Sequence, residues 1–143
     1  EGAGLALGSR VLGGEVAYEY LMNYLGVRLL TGVINLLFGS RITDSATAMK
    51  LLDGPHARSM KLDSSGFDLD FELVTRTARL GGKIIERPVS YMPRTVAQGK
   101  KLRAYRDGAL ALRAILRDRL LPASRFVRST SRVDSAVDLV SGR

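Results

Sequence analysis

The sequence predicts a mixed α/β fold. A short apolar run at residues 5–7 and a strand-like segment at 83–91 stand apart in the chain. Between and after them lie segments whose apolar residues recur every three or four positions, the period of a helix. Glycine and proline punctuate the boundaries. A chain of 143 residues, 45% hydrophobic and 25% charged, has the size and composition of one folded domain.

The elements follow in order. Leu5, Ala6 and Leu7 form a short buried strand that ends at Gly8-Ser9-Arg10. From 15 to 38 the spacing of Val16, Tyr20, Tyr24, Val27 and Leu30 is helical. Gly26 and Gly32 suggest one interrupted helix or two that meet, either buried in the core or partly embedded in a membrane. Arg28 cuts this segment short of the apolar length expected of a span. Residues 42–52 are small and polar and read as a turn leading into a short strand. Asp53-Gly54-Pro55 signals a turn, and a short helix follows over 56–60.

Asp68 and Asp70 precede an apolar spacing at 71, 74 and 78, a basic last turn and Gly81, which together mark a helix. The run 83–91 is a strand, and Pro88 places it at a sheet edge or bends it. Residues 93–106 form a basic loop. Leu110, Leu112, Ile115, Leu116 and Leu120 against Arg113, Arg117 and Arg119 make a basic amphipathic helix over 109–121, which Pro122 ends. Residues 122–143 read as a polar, disordered tail. No internal repeat is visible.

The net charge of +8 favours an anionic partner: a phosphorylated small molecule, an anionic membrane or a nucleic acid. Most of the excess lies between Arg94 and Arg119, which holds eight basic and two acidic residues. The absence of Cys excludes a disulfide scaffold, a thiolate nucleophile and a Cys-ligated zinc. The single histidine, His56, excludes a multi-histidine metal site and reads as a surface residue. No charged segment precedes an apolar run at Glu1, so no secretory signal is visible.

Four motifs then occur in order: 43–50 (Thr-Asp-Ser-Ala-Thr-Ala-Met-Lys), 66–72 (Gly-Phe-Asp-Leu-Asp-Phe-Glu), 86–95 (Glu-Arg-Pro-Val-Ser-Tyr-Met-Pro-Arg-Thr) and Gly99-Lys100-Lys101 with Arg106-Asp107-Gly108. With Gly8-Ser9-Arg10 ahead of them, they resemble the C-terminal half of family 2 glycosyltransferases of the polyprenyl-phosphate sugar synthase type, which includes dolichol-phosphate mannose synthase. The resemblance covers residues 5–121 and implies the C-terminal portion of a Rossmann-like GT-A domain with amphipathic helices. It implies transfer of a sugar from a nucleotide-sugar to a polyprenyl phosphate, at the cytoplasmic side of a membrane and through peripheral attachment. Mg²⁺ or Mn²⁺ is expected for the full enzyme, held by an Asp-x-Asp motif in an N-terminal half that this sequence lacks. These residues alone are therefore expected not to turn over. Asp68-Leu69-Asp70 matches a helix start in that family, so no metal ligand is assigned here.

The resemblance also assigns roles. Asp44 is the catalytic choice: a carboxylate near the acceptor can orient it or take a proton. An anionic lipid phosphate needs no strong base, so Asp44 can instead position a neighbouring Lys or Arg, or cap a turn. Arg10, Arg28 and Arg94 are substrate-binding candidates, since a guanidinium fork fits phosphate oxygens; the alternative is a solvated cation. Lys100 and Lys101 lie in a basic loop able to order over phosphates, with Gln98 where many relatives carry an acid. Lys50 follows Ala48 and Met49, a departure that keeps the small-then-bulky order of the motif. Glu72 is expected to be structural, and Glu86 to form an ordinary ion pair, the alternative being a pair with an Arg near the site.

A second reading is a non-catalytic basic module that binds an anionic membrane or nucleic acid. Tyr105 is the aromatic residue within the basic stretch, and no helix-turn-helix or zinc pattern appears, so nucleic acid is not the expected partner.

Overall fold

The computed structural model describes residues 2–12, 21–90 and 104–128. In order these form β1 (Leu5–Ser9), α1 (Leu21–Phe38), β2 (Lys50–Leu52), α2 (Gly54–Ser59), α3 (Asp68–Arg79), β3 (Ile84–Pro88) and α4 (Ala104–Leu120), followed by a 3₁₀ turn (Ala123–Phe126). The fold is mixed α/β and compatible with part of a Rossmann-like domain.

The sheet order is β2-β1-β3. β1 is antiparallel to β2 and parallel to β3. Leu7 pairs with Lys50 on one side and with Glu86 on the other, so these three residues form one row across the sheet. The parallel pair brings the C-terminal ends of β1 and β3 together, and Val89 N donates to Ser9 O at 3.0 Å. Among the described residues β3 lies at an edge of the sheet, a position that tolerates Pro88.

Leu5 and Leu7 point into a core shared with Val27, Leu30 and Ile34 of α1, Phe71 and Val74 of α3, and Ala111 and Ile115 of α4. These residues recur at the periods expected of a buried strand and of helix faces. Gly81 has φ +75, a conformation glycine adopts without steric cost, and it follows the end of α3.

Several expectations are corrected. α1 runs unbroken through Gly26 and Gly32, because glycine inside a helix costs propensity without breaking it when one face is packed on the core. By length and composition α1 is able to cross a membrane, at mean hydropathy 1.4 over 18 residues, despite Arg28. Its Val27, Leu30, Thr31 and Ile34 are nevertheless buried, so it is a core helix with a second, exposed apolar face. α4 begins at Ala104, five residues ahead of the amphipathic run, so Arg106 belongs to the helix and not to a loop. The tail expected from 122 starts with ordered structure. Phe126 is buried, its carbonyl accepts from Lys61 N at 2.7 Å, and Val127 bridges Met60.

Candidate functional site

The site assembles where β1 and β3 end. The bend after Ser9 sets Arg10 against the 42–45 segment, and that segment is held from two sides. On the helix side, Arg28 Nη1 donates to Thr43 O at 2.9 Å. Thr31 Oγ1 bonds Ser45 Oγ at 2.8 Å and accepts from Ser45 N at 3.3 Å. Asn35 donates from Nδ2 to Ile42 O at 2.8 Å and accepts from Ile42 N at 3.1 Å. Positions 28, 31 and 35 lie on one face of α1, so a polar stripe within an apolar helix grips the segment. On the sheet side, Glu86 accepts from Thr43 N at 2.8 Å, from Asp44 N at 3.0 Å and from the Thr43 hydroxyl.

Between these grips, Asp44 meets Arg10. Arg10 Nε donates to Oδ2 at 2.6 Å and Nη2 to Oδ1 at 2.8 Å, while Arg10 N reaches Oδ2 at 3.2 Å. The Asp44 side chain has no solvent exposure and the Arg10 side chain has 12%. This is a bidentate, charge-assisted pair, which fixes the guanidinium plane.

Lys50 stands beside it. Its side chain is 4% exposed and donates to Asp70 Oδ1 at 2.9 Å and to Thr47 O. Burial lowers its pKa below the ordinary lysine value, against the opposing pull of Asp70 and Asp44.

The structure therefore brings Arg10, Arg28, Asp44 and Lys50 to one end of the sheet. Arg94, Lys100 and Lys101 lie outside the described residues. Both carboxylate oxygens of Asp44 accept from Arg10. Asp70 pairs with Lys50 instead of capping α3, whose N-terminus has no side-chain cap bond. Glu86 holds backbone rather than an arginine. His56 is half-buried and bonds Thr77 Oγ1 through Nε2 at 3.2 Å, so it is not the surface residue expected. Among the described residues, no group of three His or carboxylate side chains converges to hold a metal ion.

Sequence reasoning missed a second cluster. Arg76 is fully buried and pairs with Glu72, with Asp118 at 3.4 Å and with Asp63 at 2.7 Å, while its guanidinium stacks 4.6 Å from the Phe126 ring centroid. Arg117 joins Glu72 at 2.9 Å and Asp118 at 3.0 Å. Burial works against the charge of Arg117, yet the hydrogen bond to Asp118 and the charges of Asp118 and Glu72 outweigh it and raise its pKa. Glu72 and Arg76, four apart on a predicted helix, were the available signal.

No family model matches the chain, and no solved structure matches it. Among curated proteins, the chain is similar to the low-salt glycan biosynthesis hexosyltransferase Agl6 of Haloferax volcanii, with 28% identity over 118 residues. The match takes in 80% of this chain and 28% of that protein, so the chain spans little more than a quarter of the relative's length.

Proposed function

We propose that the chain is the acceptor-side portion of a glycosyltransferase, and that its site holds the phosphate of a polyprenyl phosphate. The buried bidentate Arg10–Asp44 pair carries this reading. A guanidinium locked in plane by a carboxylate presents its donors in a fixed direction, which suits a phosphate monoester better than a freely rotating cation. Lys50 adds a compact charge nearby. The similarity to a hexosyltransferase supports the same reaction class.

In this reading a phosphate oxygen attacks the anomeric carbon of a nucleotide-sugar. The new phosphate O–C bond forms as the bond to the nucleotide diphosphate breaks. The acceptor is already anionic, so Asp44 acts through Arg10 and no general base is needed. The parent enzyme is proposed to be a family 2, GT-A enzyme of the dolichol-phosphate mannose synthase type. Mg²⁺ or Mn²⁺, proposed as the cofactor of the full enzyme, would supply positive charge to the nucleotide diphosphate when bound. Among the described residues, no group of three His or carboxylate side chains would hold that ion.

Peripheral attachment at the cytoplasmic face of a membrane belongs to the same proposal. Leu21, Met22, Leu25, Leu29 and Leu36 of α1 are exposed, as are Leu112, Leu116 and Leu120 of α4 beside Arg113 and Arg119.

The test is co-sedimentation with vesicles containing polyprenyl monophosphate, against vesicles matched in charge with phosphatidylglycerol. The chain is expected to prefer the polyprenyl phosphate, and Arg10→Ala to abolish that preference. Equal binding to both vesicles would reduce the interaction to generic charge attraction and sink the assignment.

A further inference from the structure

Glu86 has no part in the assignments above, yet its contacts with the 43–44 backbone single it out. Its side chain projects from the row Lys50–Leu7–Glu86 at the edge of the sheet. Two consecutive backbone N–H groups, of Thr43 and Asp44, converge on its two oxygens. The Thr43 hydroxyl adds a third donor, at 3.0 Å to Oε2 and 3.2 Å to Oε1.

The direction of the hydroxyl chain follows from this. Thr43 has one hydroxyl proton, and a carboxylate takes it. Ser9 Oγ lies 2.7 Å from Thr43 Oγ1 and must therefore be the donor in that pair. Ser9 Oγ in turn accepts from Val11 N and Leu12 N, both at 3.2 Å. An ordered path thus runs from the 10–12 turn through Ser9 and Thr43 to Glu86. The same carboxylate ties down the residue that clamps Arg10 and, through Ser9, the turn that carries Arg10.

We propose that Glu86 is a positioning residue of this site: it fixes the Thr43–Asp44 backbone and so holds the Asp44 carboxylate in register with the Arg10 guanidinium. This rests on the reading of Arg10 as the phosphate-binding group. The division of labour makes the inference specific. Arg28, Thr31 and Asn35 still hold Thr43 O, Ser45 and Ile42 when Glu86 is altered. The Thr43 and Asp44 N–H groups, by contrast, share the Glu86 carboxylate as acceptor. The segment stays attached to α1 while Asp44 loses its orientation.

Glu86→Gln is the sharpest variant. It keeps the size and one acceptor oxygen but turns an amide N–H₂ toward a backbone donor, so one of the two N–H groups is left unpaired. The full chain, labelled with ¹⁵N, is expected to show a hydrogen-bonded arginine Nε–H resonance that is lost in Arg10→Lys. In Glu86→Gln that resonance should shift or broaden, and binding to polyprenyl-monophosphate vesicles should weaken roughly tenfold. Adding Asp44→Asn to Glu86→Gln should cost little more, because both changes remove one function.

An unchanged resonance and unchanged binding in Glu86→Gln would overturn the proposal. So would independent, multiplying effects of the two substitutions. If Glu86→Gln does not fold, Glu86→Asp keeps the charge but draws the carboxylate back from the Thr43 and Asp44 N–H groups, and is read by the same resonance with the same two outcomes. Should wild type and Arg10→Ala bind the vesicles alike, the phosphate reading fails by itself. The arginine resonance then still decides for or against Glu86.

Discussion

Arg76 shows at the residue scale how much of this protein is held by charge. It is the largest fully buried side chain, and Glu72, Asp118 and Asp63 surround it. Removing one partner from such a network leaves buried charges uncompensated, a loss of roughly 3–5 kcal/mol. Arg76→Ala is therefore expected to destabilise the chain by about that amount, or to prevent folding, in denaturant titrations. A loss under about 1 kcal/mol, the scale of an exposed pair, would show that the network is not dry. Asp63 gives a pH dependence. Its hydrogen bond from Arg76, opposed by burial, holds its pKa below the ordinary carboxylate value. A carboxyl held low in the folded chain adds stability that is complete above its unfolded pKa, about 3.9, and is lost as pH falls through the depressed value. Asp63→Asn should thus melt below wild type near neutral pH, and the two should converge in acid. A difference that stays constant across the acid range would rule out this linkage. Residues of this kind were only half legible in the sequence. Glu72 reads as structural from its place in a helix, but its partner Arg117 lies 45 positions away. Nothing local in a sequence encodes that distance.

Elements were more legible than partners, because helix period and turn chemistry are local. The α3 signature of acidic start, apolar spacing and Gly81 stop is reproduced over Asp68–Arg79. α1 shows where the local reading failed. Its glycines were given the meaning of a break, whereas a helix packed on one face tolerates them at a cost in propensity. Gly26 and Gly32 both face open space. Alanine at either should stabilise by roughly 0.5–1 kcal/mol, measured by thermal or denaturant melts. Gly8 is the opposite case. A Cβ there would lie 2.8 Å from Val89 Cγ1 and 3.0 Å from Met49 Cβ, so β1 owes its fit between its neighbours to the missing side chain. Gly8→Ala should cost about 1–3 kcal/mol. Stabilisation by alanine at Gly8 as well would mean that backbone entropy, and not packing, governs both kinds of site. The site was legible as a set of motifs, and Arg10, Asp44, Lys50 and Arg28 do meet at one end of the sheet. What the motifs hid was the grip of Thr31, Asn35 and Glu86 on the backbone between them, since such contacts depend on tertiary register.

At the scale of the whole molecule, the unanswered question is what covers the apolar side chains left in water. α1 and α4 pack against each other and each spends one face on the core. Each also keeps a second row of apolar residues exposed, with Leu29 69% and Leu36 83% accessible on α1 and Leu120 80% on α4. Water alone is a poor environment for so many leucines. Exposed basic residues on α4, Arg113 and Arg119, favour a negatively charged surface beside them. Charge and apolar burial respond differently to salt, and that separates the two contributions. Replacing Leu25 and Leu29 with Gln should weaken binding to anionic vesicles by about fivefold for each residue, if partial insertion of a leucine is worth about 1 kcal/mol. The melting temperature should not fall, because neither side chain belongs to the core. Arg113→Gln with Arg119→Gln should instead reduce the binding only at low salt. If the leucine variants bind as wild type and salt alone releases the protein, the helices touch the headgroups by charge and their apolar rows require a protein partner. If the leucine variants lose binding at every salt concentration, the apolar rows enter the bilayer, and the Arg10–Asp44 pair is set on a protein that docks where a lipid phosphate would be met.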